Sequence, residues 1–163
     1  MKKITRRPVF PLDYGVPESL DGTLPWQHVT ERLKKALHYW VSTVDSSQRP
    51  HATPVWGAWV EETLYFDGSP QTKRGRNLKG NPNIAIHLES GTDVLIVHGK
   101  AMEIIPLREL ALKLTEEYNR KYQSDTYKAS PDFWLQGGLY RVDFSVIFAW
   151  TNFPDDATKW VID

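Results

Sequence analysis

The sequence contains no cysteine, which excludes disulfides, thiolate nucleophiles and thiolate metal sites and fits a reducing compartment. It also lacks net charge, since 20 Lys and Arg balance 20 Asp and Glu. A nucleic-acid binder draws its affinity from a positive excess that neutralises phosphates, so that partner class is not expected. Zero charge offers no self-repulsion against association. No stretch approaches the ~20 apolar residues needed to cross a bilayer, and no membrane partner is expected. The start Met1–Arg7 is basic, but no apolar run follows it as in a signal peptide. The expectation is therefore a soluble, cytoplasmic chain. His28, His38, His51, His87 and His98 show no metal-ligand spacing and no His-Glu-x-x-His, so no metal is expected. There is no Gly-x-Ser-x-Gly either, and nothing points to hydrolysis through a covalent intermediate. Glu116, Glu117 and Asp125 read as solvated charges.

The chain is instead rich in large rings, with seven tryptophans in 163 residues. Such rings supply burial in cores, interfaces and ring-binding pockets alike. Residues 1–21, rich in Pro and charge, read as an N-terminal arm with little structure of its own, and 22–163 as one domain. Trp26–Leu37 has an apolar stripe of helical period, with Thr23 or Asp21 as candidate caps. From Tyr39 the period becomes that of strands: Tyr39–Val44, His51–Val60 and Thr63–Asp67, joined by connections too short for parallel crossovers. Thr72–Gly80 reads as a short basic helix. Ile84–Glu89 and Asp93–Ile105 form a hairpin whose second strand is long enough to bend at Gly99. Pro106 opens a helix through about Tyr122, with Leu107, Leu110, Ala111, Leu114 and Tyr118 on one face. Gly138–Trp150 is a long last strand, and Thr158–Ile162 is again apolar. Six mostly sequential antiparallel strands with flanking helices indicate a mainly β chain closed as a small barrel.

Two stretches carry chemistry. Lys73, Arg74 and Arg76 crowd a helix start next to the hydroxyls of Ser69 and Thr72. Free N–H groups and the positive dipole end favour an anion there, and these side chains suit a phosphate, although a solvated basic helix has the same pattern. In Arg49–Trp59, Pro54 cannot donate a ladder bond, so its strand belongs at an edge or a bulge. Its neighbours could meet the polar edge of a ring, or the strand could simply be core.

In order, Pro50-His51, Pro54-Val55-Trp56, Gly68-Ser69, Thr72-Lys73, Asn77-Leu78 and Asn81-Pro82 resemble the pyridoxamine 5′-phosphate oxidase-like superfamily, and within it the flavin/deazaflavin oxidoreductases. The likeness continues through Val94–Ala101 and Thr158-Lys159-Trp160. It implies a six-stranded antiparallel split β-barrel that binds FMN, assembled as a homodimer with cofactor sites along its interface. It places Lys73 and Thr72 at the cofactor phosphate, with His51 near a position often held by a phosphate-contacting arginine; Arg74 and Arg76, with Lys73, could as well hold the phosphate and acidic tail of a deazaflavin cofactor. Thr53, Pro54, Val55 and Trp56 would run along the flavin ring, with Phe66, Asp67 and Ser69 on its other side. Asn77 would order the loop, His98 stands where relatives often carry glutamate, and Thr158-Lys159-Trp160 matches a Thr-Arg-Trp end that reaches towards a site. The implied activity is hydride transfer between flavin and a small organic substrate. The 5-deazaflavin coenzyme F-420 is the alternative cofactor, and a non-catalytic flavin or haem carrier is the alternative class. Oxidation of pyridoxamine phosphate itself is not expected, because Thr151–Asp163 is acidic and has only Lys159 to meet a substrate phosphate.

Overall fold

Strand alternation is followed closely where the chain has one buried face. In Tyr39–Val44, buried residues alternate with half-buried ones along the whole strand. The computed structural model describes residues 2–123 and 128–163, and Asp125 lies outside them. Nine strands form among the described residues: β1 (Lys3–Arg6), β2 (Tyr39–Val44), β3 (Pro50–Val55), β4 (Gly57–Val60), β5 (Thr63–Asp67), β6 (Asn83–His87), β7 (Val94–Ile104), β8 (Leu139–Trp150) and β9 (Thr158–Ile162). Helices α1 (Trp26–Lys35), α2 (Lys73–Gly80), α3 (Arg108–Lys121) and α4 (Pro131–Trp134) flank them.

Every pairing is antiparallel, in the order β3-β2-β6-β7-β8. Beyond β7, one edge of β8 is shared: Leu139–Val142 pairs with β5, and Val146–Ala149 pairs with β9. Strand β4 completes the ring on β5. The barrel is thus closed between β3 and β4 by the chain itself, through Trp56, and not by a ladder. This seam is the split, and the fold is a mainly β, antiparallel split barrel with flanking helices. β7 bends at a bulge between His98 and Gly99, where a Cβ on Gly99 would collide with the Asp143 carbonyl oxygen.

Several expectations are corrected. His51–Val60 is two strands, because the chain leaves the edge of β2 at Val55 and joins β5 at Gly57. The close approach of Tyr65, whose carbonyl oxygen would lie 2.6 Å from a Cβ on Gly57, admits only glycine at this crossing. The arm is not without structure, for Lys3–Arg6 adds a strand to β9. Arg7 then ties its continuation down by donating to the carbonyls of Ser19, Asp21, Asp155 and Ala157. Finally, α1 begins after Pro25 with no side-chain cap. Asp21 is bonded by Ser19, and the Thr23 hydroxyl donates to the Leu20 carbonyl.

Two cores result. Inside the barrel, Val41, Leu64, Phe66, Ile86, Val97 and Ile147 pack with Val29 and Leu33 of α1 and Leu78 of α2. Outside it, Ala58, Val60, Tyr65 and Leu139 meet Ala111, Leu114 and Tyr118 of α3 and Trp134 of α4. Each fully buried aliphatic side chain contributes about 1.5–3 kcal/mol. Leu107, expected in the α3 stripe, is exposed because it precedes the first turn of the helix.

Candidate functional site

The site grows from the start of α2. Thr72 is its N-cap, accepting from Gly75 N–H at 3.1 Å and donating to the Ser69 carbonyl at 2.8 Å. Consecutive helical residues point about 100° apart, so Lys73 and Arg74 diverge. Arg74 turns inward and is 8% exposed. It donates to Thr53 Oγ1 of β3 at 2.9 Å and to the Asp67 carbonyl at 3.2 Å, and its guanidinium lies 5.7 Å from the centre of the Phe66 ring. Gly68 has φ +154°, and a Cβ there would collide with the Arg74 guanidinium, so glycine makes room for the cation. Nε of Arg74 is buried without a hydrogen-bond partner. Burial lowers the arginine's pKa, opposed by nearby Tyr140 and Asp67. Burial likewise pushes Asp67 above the usual carboxylate range, although Tyr118 donates to its Oδ1 at 2.6 Å.

A cavity of about 240 Å³ opens here, lined by Pro54, Val55, Trp56, Asp67, Arg74 and Phe133. It adjoins one of about 290 Å³ that runs past Gly68, Ser69 and Phe133 to Gly138. The indole of Trp56 stacks on the Tyr122 ring, with centroids 4.4 Å apart and planes at 7°. Tyr122 in turn accepts from the Gly57 N–H at 2.9 Å, while Lys121 donates to the Gly57 carbonyl at 2.9 Å and to Tyr39 Oη. Burial lowers the Lys121 ammonium to about 8.

The structure thus brings together Thr53, Pro54, Val55, Trp56, Phe66, Asp67 and Arg74, with Ser69 in the adjoining cavity. Lys73 goes elsewhere. Its Nζ lies 3.6 Å from Asp45 Oδ2, in a separate cavity of about 760 Å³ shared with Arg76 and Asn77. Asn77 itself donates to Thr43 Oγ1 at 3.0 Å. The Thr72 hydroxyl is occupied by capping, and exposed Arg76 donates to the Gln71 carbonyl. By strand alternation His51 shares the face of Thr53, and its Nδ1 is buried and unpartnered. Thr158 and Trp160 turn into the fold, where the Thr158 hydroxyl accepts from Leu24 N–H and Trp160 packs edge-on against Trp26. Only Lys159 faces outward, over Phe148. His98 lies on the outer sheet face against Phe148. Phe133, Tyr118 and Tyr122 escaped the sequence reading as site residues. Their signal was faint: an aromatic pair after Pro131, and two tyrosines one helical turn apart.

Residues 26–136 match the profile of the pyridoxamine 5′-phosphate oxidase family, and the chain belongs to that family. No curated protein sequence matches it. Solved structures share the fold. A candidate 5-nitroimidazole antibiotic resistance protein from Bacteroides thetaiotaomicron is 15% identical, with 98% of this chain and 89% of that chain covered and a TM-score of 0.63. An F-420 reductase is 22% identical over 72% of this chain and 93% of that one, at a TM-score of 0.56. The haem storage protein of Vibrio cholerae is 18% identical over 76% and 90%, at 0.59.

Proposed function

We propose that this chain is an FMN-binding oxidoreductase that passes a hydride between the flavin and a small organic substrate. The observation that carries the reading is Arg74, a buried cation with one unpaired donor, set beside an edge strand that has an aromatic wall at its far end. A flavin phosphate asks for cations and hydroxyls, which Arg74 and Thr53 offer, with His51 on the same face of β3. The polar edge of the ring asks for free backbone groups, and β3 pairs on one side only. Its apolar faces ask for Val55, Trp56 and Phe133. The residues fit the group. When bound, the flavin supplies the two-electron chemistry, and the protein binds, orients and excludes water. Asp67, kept protonatable by burial, can hold a proton at its carboxyl group within the same cavity.

Coenzyme F-420 is a second reading, favoured by the separate cavity at Lys73 and Arg76, whose charges suit an additional acidic tail. A haem carrier would need an axial ligand, and no histidine is among the residues lining the Arg74 cavity.

The proposal includes a homodimer. On the outer face of the sheet, Pro54, Trp40, His87, Ile96 and Phe148 stand side by side in register across β3, β2, β6, β7 and β8. The next row is Ala52, Ser42, Ala85, His98 and Val146. Neither row contains an acid, lysine or arginine. A second copy covering this face would reach Pro54 and hence the cavity, so that the cofactor would lie along the interface.

Incubation with FMN or with coenzyme F-420, followed by desalting, tests the reading. Retained absorbance near about 370 and 450 nm selects FMN, and a single band near about 420 nm selects the deazaflavin. Retention of neither overturns cofactor binding.

A further inference from the structure

A different flank of α2, formed by Gly75, Leu78 and Lys79, borders a cavity of about 970 Å³, whose far wall is Ala101 and Met102 of β7 and Tyr140 of β8. None of the residues from Thr53 to Asp67 lines it. Tyr140 is 2% exposed, its ring stacks on Phe66 at 5.1 Å, and its hydroxyl is buried with no hydrogen-bond partner. An unpaired buried hydroxyl costs stability, and a phenylalanine would fill the same space without that cost. The hydroxyl therefore points to a ligand that pairs with it. Two exposed cations, Arg76 and Lys79, stand at the α2 side of the cavity. Its acid, Glu103, already accepts the Gly138 N–H through Oε1 at 2.8 Å. Apolar surface from Leu78, Ala101 and Met102 lies between.

We propose that this cavity is a second small-molecule site, separate from the Arg74 cavity, that takes an organic acid with a polar group at its opposite end. The carboxylate pairs with Arg76 and Lys79 at the exposed rim. The apolar body lies on Leu78 and Met102, and the inner polar group exchanges a hydrogen bond with Tyr140 Oη. The buried position of Tyr140 and the exposed positions of the two cations fix which end goes inward.

Amide-resolved NMR titration of the full chain with 4-hydroxybenzoate, benzoate and 4-hydroxybenzylamine tests this, with and without saturating FMN. Expected are saturable shifts at Gly75, Ala101, Met102 and Tyr140 with 4-hydroxybenzoate, at a Kd on the order of 1 mM. Benzoate should bind about threefold to tenfold more weakly for want of the inner hydrogen bond, and the amine more weakly still. Tyr140→Phe should reduce 4-hydroxybenzoate to the affinity of benzoate while leaving the melting temperature unchanged or raised. The surface double variant Arg76→Ala/Lys79→Ala should abolish the preference for the acids over the amine. The site is overturned if no probe gives saturable shifts, or if the shifts map to Val55, Asp67 and Arg74 and disappear with FMN. Equal binding of all three probes, or an unchanged affinity in Tyr140→Phe, also overturns the assignment. Because FMN is read separately, failure of the cofactor reading leaves this result interpretable.

Discussion

At the scale of single residues, Lys73 and Arg74 decide the site, and they are neighbours that part company. One ammonium reaches Asp45, and one guanidinium is driven under β3 against Thr53 and Phe66. The crowding of cations at a helix start was visible in the sequence. Which of them faces the barrel was not, because that depends on the room left by Gly68 and on the packing of Pro70 against Gly75. Asp67 gives a testable consequence. Its folded pKa is raised, so between the unfolded value near 3.8 and the raised one the folded state holds more protons than the unfolded. Stability must then fall as pH rises through that window. Asp67→Asn keeps an acceptor for the Tyr118 hydroxyl and removes the titration. Its stability relative to the parent should therefore grow as pH rises above about 3.8 and level off once Asp67 has ionised in the folded state. Denaturant melts across that range measure the difference, and a constant or shrinking difference contradicts the burial of this carboxyl.

At the scale of elements, the seam at Trp56 is the part of the barrel most exposed to small changes, since among the described residues no strand ladder crosses it. Tyr122 and Lys121, at the end of α3, supply the hydrogen bonds that Gly57 lacks as the chain changes partner. Tyr122→Phe leaves the buried Gly57 N–H unpaired and should cost about 1–3 kcal/mol. It should also loosen the stack under Trp56, weakening FMN retention. A melting temperature within experimental error of the parent would show that the seam is held by something else. The strands Tyr39–Val44 and Thr63–Asp67 were readable to the residue because each ends where a turn-forming residue, Asp45 or Gly68, follows. The break inside His51–Val60 was not, because the period of two runs straight through Trp56 while the partner strand changes. β1 was invisible for a related reason: Lys3–Arg6 has little pattern of its own and is a strand only because β9, at the other end of the chain, offers an edge.

At the scale of the molecule, the uncharged rows on the outer sheet face and the cavity at Pro54 meet along β3, so assembly and cofactor binding are coupled in this account. Ile96→Glu places a charge in the middle of that face without touching the barrel interior. It should convert a dimer to monomer in sedimentation at micromolar concentration, and lower the affinity for FMN along with it. A monomeric parent protein, or a variant that stays dimeric, removes the second copy from the site. The central claim, that Arg74 holds a flavin phosphate or ring edge beside β3, is tested most directly by calorimetric titration of the apo-protein with FMN, comparing the parent with Arg74→Gln. The account predicts saturable binding by the parent, and a loss of about 1.5–3 kcal/mol in the variant, the scale of a charge-assisted hydrogen bond, or roughly ten- to hundredfold in Kd. Equal affinities in the two proteins, or no binding by the parent, would contradict it.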